Sequence, residues 1–597
     1  MKCKNCGAEC KSEFCEHCGS PMEGYKEAVQ QQNFQAQQAV KKKRAGITAI
    51  VAVVILVVLG VVIFNLIDNA GKDLTSDEAI ARLNSICNSI DAKNVTPVKA
   101  SVDLDDVDMK ESLPDISKYP PQVENATENF VEIFSSTEKA GTGTDGWLVE
   151  MANKFNRSRV EVNGKTASVM VRGIASGVGM DYISSTKYTP DAFSPSNELW
   201  GEMLKAKGIS VNLVEKRLTG NVTGILLSKA KHAEMTGKYG EISLKSISDA
   251  VEKNELAMGY TNPFASSSGL NFLVSTLCTY DAKNPLSAAA VGSFEKFQTN
   301  IPFVAYTTLQ MRESARSGAL DGFILEYQSY MNLPDLKSDY IFTPFGVRHD
   351  SPVYEIGSLS PDKKEILKQF IDFCKNEENQ KQATDYGFNG LNDHQYTPEN
   401  LGGDAIVQAQ KVWKEKKNGE NDVVAVFVAD VSGSMMGEPM HKLKESLVKG
   451  SKYIGNNNSI GLVTFSDRVN INLPIGKFDL NQRSLFTGSV QNLQPGGGTA
   501  MYDGISVGIQ LLMAEKEKNP DAKVMLFVLT DGETNSGHSL RKVEKMIKAL
   551  RIPIYTIGYN ADISALERVS QINEAASINA DTDDVVYTLG NLFNAQM

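Results

Sequence analysis

From Asp422 to the C-terminus, short apolar runs alternate with amphipathic stretches of helix length. The runs Val423 to Ala429, Ile460 to Phe465, 523 to 529 and Pro553 to Gly558 are rich in Val, Ile and Phe and end in small or polar residues, the pattern of buried parallel strands. Helices are predicted near 438 to 453, near 480, near 503, near 538 to 549 and from Asp583, with Val469 to Leu473 as an edge strand. The order predicts an open, mostly parallel α/β sheet covered by helices on both faces, with its site at the carboxyl ends of the strands. Residues 125 to 400 alternate similarly: Val131 to Thr137 reads as a strand and Trp147 to Phe155 as a helix. Val169 leads to Ser176-Gly177, Leu256 to Pro263 leads to Ser266-Ser-Ser268-Gly269, and Phe323 to Tyr327 is another strand.

The N-terminal part has a different texture. Ala45 to Ile67 is a run of uncharged residues rich in Val and Ile, roughly 35 Å long as a helix, which predicts one membrane span. A cleaved signal peptide and a buried core helix fit its position and length less well. Thr75-x-x-Glu78 is a capping-box signal before Ile80, Leu83, Ile86, Cys87 and Ile90, an amphipathic helix whose apolar face needs a neighbouring domain or a second copy. Residues 92 to 124, acidic and interrupted by Pro97, Pro114, Pro120 and Pro121, read as an extended stalk. The partition is therefore 1–23, 24–44 (a polar tether with a basic end), the span 45–67, the stalk region 68–124, a domain at 125–400, a linker at 401–420 and a domain at 421–597.

Charge narrows the function. A net charge of −11 argues against a nucleic-acid-binding face. The one basic cluster, Lys41-Lys42-Lys43-Arg44, directly precedes the span and predicts a cytoplasmic N-terminus with everything after residue 67 outside. Five of the eight cysteines fall in the first 18 residues, a local device rather than a disulfide framework. Cys3-x-x-Cys6 and Cys15-x-x-Cys18 can present four thiolates to Zn²⁺, and a segment this short has no core with which to fold otherwise. Cys10 and His17 leave the ligand set open, a disulfide pair is the competing reading, and a Cys278–Cys374 bridge has no support from spacing. The Phe14-Cys15-Glu-His-Cys18-Gly19 knuckle resembles that of small bacterial zinc ribbons.

Candidate chemistry concentrates in three C-terminal stretches. Asp430-Val-Ser432-Gly-Ser434 follows the first strand, Gly496-Gly-Gly-Thr499 precedes a helix, and Thr530-Asp531-Gly ends a later strand. Carboxylates and hydroxyls are hard oxygen donors of the kind Mg²⁺ prefers. The alternative is that Asp430 and Asp531 only cap the helices that follow. This D-x-S-x-S, Thr, Asp constellation resembles the metal-ion-dependent adhesion site (MIDAS) of von Willebrand factor type A domains. The resemblance implies that Ser432, Ser434 and Thr499 bind Mg²⁺ (or Mn²⁺ or Ca²⁺) directly or through water, and that Asp430 and Asp531 do so mostly through water. An acidic group of a partner then completes the shell.

Residues 125 to 400 resemble the two-lobed extracellular solute-binding proteins of bacterial transport systems, of the sulfate and molybdate type. That resemblance makes Ser136, Thr137, Ser176, Ser267 and Ser268 candidates to line an inter-lobe cleft for a small polar solute or anion, with simple helix capping as the other reading. The sequence carries no P-loop, no G-x-S-x-G and no H-E-x-x-H, so catalysis is not expected. The expectation is a single-pass bacterial surface protein that recognises a protein or other acidic ligand through Mg²⁺. The alternative is a membrane-tethered solute receptor of a transport or signalling system.

Overall fold

The computed structural model describes residues 2–9, 11–12, 14–15, 18, 20–22, 74–103, 109–301, 303–305, 320–398, 401–419, 421–532, 534–559, 577–579 and 585–597. The tether 24–44, the expected span 45–67, Cys10 and His17 lie outside them. Among the described residues no helix is long and apolar enough to cross a membrane. Two compact units emerge, Met1–Leu74 and Thr75–Met597.

In the first unit, two tight turns carry the cysteines. Cys3 N–H donates to the Ala8 carbonyl at 2.8 Å and Cys15 N–H to the Ser20 carbonyl at 2.8 Å, and Lys2 bridges Glu9 as Phe14 bridges Pro21. Gly7 turns the first knuckle at φ +75, a left-handed backbone that a side chain would strain.

Among the described residues, the second unit is built on three large sheets and a two-stranded ribbon, Glu161–Val162 with Lys165–Thr166. The C-terminal sheet has seven strands in the order Ala92–Asn94, Val469–Lys477, Ser459–Phe465, Val423–Asp430, Lys523–Thr530, Ile554–Gly558 and Ser577–Asn579. All its pairings are parallel except that between Ser459–Phe465 and Val469–Lys477. The two central strands are buried along nearly their whole length, as their unbroken apolar runs require. Phe427 stacks on Phe527 with ring centroids 5.1 Å apart, and Phe593 of the last helix, Val585–Gln596, meets both edge-on. The helix Met501–Lys518 lies close on the sheet because Gly504 and Gly508 face it: a Cβ on either would come within 2.9 Å of a core side chain. That approach sets the height of Thr499, just before the helix.

Two expectations are corrected. Val469–Lys477 is not an edge strand, because Ala92–Asn94 pairs with it in parallel. The described residues of the stretch expected as a stalk, 92–103 and 109–124, do not form one: Val95 N–H donates to the Ile471 carbonyl, and Ala100 and Ser484 exchange hydrogen bonds at 3.0 and 2.7 Å. The chain there has an alternative to solvent in an open sheet edge, and it takes it. The capping box at Thr75 and Glu78 forms, and the helix Ser76–Cys87 buries Ala79, Leu83, Ile86 and Cys87 against the helices Met501–Lys518 and Leu540–Leu550. Its partner is thus the neighbouring domain. Farther on, Pro114 accepts from the Tyr182 hydroxyl and Val123 bridges Val171, so 109–123 packs on the middle domain.

The middle domain has two five-stranded sheets, one per lobe. One orders Ser168–Gly173, Phe130–Ser135, Ala192–Ser194, Val353–Ile356 and Val211–Glu215; the other orders Phe303–Ala305, Met258–Thr261, Gly322–Glu326, Thr223–Ser228 and Tyr340–Phe345. The segment read as a linker contains the helix Gly403–Lys416, which buries Ile406, Ala409, Gln410 and Trp413 on this domain. Trp413 donates to the Tyr260 hydroxyl at 2.6 Å. Cys87, Cys278 and Cys374 are free and buried, so no bridge joins 278 to 374.

Candidate metal centre and inter-lobe cleft

Asp430 ends the central strand wholly buried, and both its oxygens are held. Oδ1 accepts from the Ser432 N–H at 2.7 Å and Oδ2 from the Thr530 hydroxyl at 2.6 Å. The Ser432 and Ser434 hydroxyls lie 3.0 Å apart, and Ser434 donates to Asp531 Oδ1 at 2.9 Å. One hydrogen-bonded chain therefore runs from Thr530 through Asp430, Ser432 and Ser434 to Asp531. Thr499, 4 % exposed, is brought in by its loop: Gly433 N–H donates to the Gly497 carbonyl at 3.0 Å and Gly496 N–H to the Val431 carbonyl at 2.8 Å.

Neither aspartate caps a helix. The helices that follow begin at Glu438 and Leu540, with Gly437 and Ser539 in the cap positions. Burial raises both carboxyls above their ordinary values, and the Asp531 charge adds to the rise at Asp430. Two carboxylates with unfavourable ionisation beside the Ser432 and Ser434 hydroxyls, with Thr499 on the adjoining loop, form a donor set that fits a hard divalent cation, whose charge would remove the penalty.

Several residues near the site carried no sequence signal. Thr530 positions Asp430, Asp467 Oδ1 accepts from Gly498 N–H at 2.8 Å, and Asn535 Oδ1 accepts from Thr499 N–H at 2.8 Å. Asp503 and His538 Nδ1 are 2.6 Å apart behind the same loop. Met436 stands 68 % exposed beside Ser434, an apolar surface next to the oxygen cluster.

Residues 425–594 match the von Willebrand factor type A domain family. The chain is also similar to inter-alpha-trypsin inhibitor heavy chain H1 of Mesocricetus auratus, 30% identical over 150 residues, covering 23% of this chain and 16% of that one. Heavy chain H4 of Homo sapiens is 28% identical over 177 residues, covering 27% and 19%. The chain spans under a fifth of the length of these curated relatives. A solved von Willebrand factor type A structure from Catenulispora acidiphila aligns at 18% identity and TM-score 0.27, covering 30% of this chain and 43% of that one.

Residues 140–389 match the bacterial extracellular solute-binding protein family. The sulfate-binding protein SubI of Mycobacterium tuberculosis H37Rv aligns at 13% identity and TM-score 0.32, covering 44% and 87%. Four of the five cleft candidates are buried and bonded within the chain. Ser136 donates to Glu138 and accepts from the buried Lys139 ammonium, while Ser176 accepts from Ser196 N–H at 3.3 Å. Ser267 accepts from Trp200 Nε1 at 2.8 Å across the lobes, and Ser268 donates to Glu326 Oε1 at 3.1 Å. Thr137 is exposed. Glu326 also lies 2.9 Å from His349 Nδ1, and its carboxyl is raised by burial and by the nearby Glu138 charge. The surroundings of these serines thus include two carboxylates and a lysine, Glu138, Glu326 and Lys139, which the sequence did not single out.

At the N-terminus the Sγ atoms of Cys3, Cys6, Cys15 and Cys18 lie within 4.8 Å of one another, with Cys3–Cys18 at 3.6 Å and Cys6–Cys15 at 3.5 Å. Four thiolates around Zn²⁺ at about 2.3 Å would sit roughly 3.8 Å apart, so the cluster fits a tetrahedral ion.

Proposed function

We propose that the chain is a membrane-anchored bacterial surface protein that recognises a protein or other acidic ligand outside the cell through Mg²⁺ held by Asp430, Ser432, Ser434, Thr499 and Asp531. The supporting observation is the continuous hydrogen-bonded chain joining the two aspartates and two serines under the Gly496–Thr499 loop. When bound, the metal supplies a coordination position for an acidic oxygen of the partner. The protein fixes the carboxylates in advance: Thr530 and the Ser432 amide hold Asp430, so little ordering remains when the ion arrives. The single span 45–67, with the cytoplasmic Zn²⁺-binding cysteines before it, completes the reading.

The test is calorimetry and pull-down. Asp430→Ala should lose Mg²⁺ binding and ligand capture, with capture by the wild type abolished by EDTA and restored by Mg²⁺ or Mn²⁺. Mg²⁺ affinity unchanged in Asp430→Ala would refute the site.

A further inference from the structure

A cavity of about 730 Å³ opens where the solute-binding-like domain meets the von Willebrand A module. None of the candidate residues of the metal site or of the inter-lobe cleft lines it. Its wall is drawn from elements far apart in sequence: Asp181 and Lys207 from the middle domain, Lys414 from the helix Gly403–Lys416, Lys452 and Arg483 from the module, and Asp103 from the segment that crosses onto the module. Four cationic side chains thus face two carboxylates. One carboxylate, Asp103, is already paired with Lys452. Arg483 is fixed in place by the Ser451 carbonyl at 3.0 Å and by the Phe478 ring, its charge 4.4 Å from the ring centroid.

We propose that this cavity is a binding site for a small polyanion, carrying phosphate or several carboxylates, whose charges bridge Lys207 and Lys414 on one domain and Lys452 and Arg483 on the other. The volume suits a metabolite-sized ligand, since such pockets hold about 300–1,000 Å³. Cations converging on a partly buried, polar-lined space gain more from an anion there than on an open surface, where water screens them. The second carboxylate opposes an anion less than its formal charge implies. Burial raises Asp181 to about 7, with Lys207 and the Tyr587 hydroxyl pulling the other way, so near neutrality much of it is uncharged. The ligand would touch both domains at once and so tighten their seam. This reading is independent of the Mg²⁺ site.

Calorimetric titration of the full-length chain in metal-free buffer with inorganic phosphate, pyrophosphate and citrate tests it. At least one probe should bind saturably at a single site. Lys207→Glu/Lys414→Glu, which alters two exposed side chains, should weaken that binding tenfold or more while leaving Mg²⁺ binding unchanged. Asp430→Ala should bind the anion as the wild type does, and so should Lys337→Glu/Lys381→Glu, which makes the same charge change elsewhere. No saturable binding of any probe, equal binding by Lys207→Glu/Lys414→Glu, or equal weakening by the control pair would overturn the proposal.

Discussion

Thr530 shows how much of the candidate metal site is set one residue at a time. Its hydroxyl donates to Asp430 Oδ2 at 2.6 Å in a fully buried position, so the carboxylate is held even without an ion. Thr530→Val keeps the shape and removes the donor. It should destabilise the metal-free protein by about 1–3 kcal/mol in urea unfolding and lower Mg²⁺ affinity, because Asp430 then keeps the backbone bond to Ser432 and loses its second anchor. The five candidate residues were picked out in the sequence by their types and order, and the structure joins Asp430, Ser432, Ser434 and Asp531 in one hydrogen-bonded chain. Thr530 was not picked out, since a threonine ending a strand is ordinary and only packing shows which oxygen it meets. The same holds for Lys139, Glu138 and Glu326: the serines drew attention, and the charges that bind them lie up to 58 residues away from their partners.

At the scale of elements, the lead segment completes the C-terminal sheet. Ala92–Asn94 covers the edge that Val469–Lys477 would otherwise leave open, and the chain then crosses the helix Leu480–Gln491 at Gly488. A Cβ there would sit 1.9 Å from the Val98 carbonyl oxygen. Gly488→Ala should therefore displace the crossing segment and unpair Ala92–Asn94. Hydrogen exchange should speed up at the amides of Val469–Lys477, while those of Val423–Asp430 remain protected; unchanged exchange at the edge would refute the argument. The amphipathic helix before this strand was predicted from its period and cap. Its docking face on Met501–Lys518 and Leu540–Leu550 could not be, because many apolar faces would accept it.

At the scale of the whole molecule, the last helix ties the domains together. Tyr587 reaches Asp181 of one lobe at 3.4 Å, Gln596 donates to the Val304 carbonyl of the other at 2.7 Å, and the buried Lys417 ammonium donates to the Asn594 carbonyl. Asp181 makes this seam pH-sensitive. Its folded pKa of about 7 lies above the ordinary 3.8, so the folded state binds the proton more tightly than the unfolded one. The stabilisation is complete below about pH 4 and is lost as pH rises through 7. Asp181→Asn should raise Tm relative to wild type at pH 8, with the difference shrinking toward pH 5; a difference independent of pH would show that the carboxyl is not held up by burial.

By itself the sequence determined the alternating α/β order, the pairing of the knuckle cysteines and the clustering of the candidate oxygen donors, because each rests on local spacing: period, turn chemistry and motif. What only the tertiary structure decided is how distant segments share surfaces. The lead strand belongs to the C-terminal sheet although some 330 residues separate Ala92–Asn94 from Val423–Asp430, Ser136 and Ser268 are engaged by the chain's own charges, and a charged cavity forms between domains. These depend on which apolar faces and open edges meet, and burial at such meetings is selected by the complementarity of whole surfaces, which local pattern does not encode.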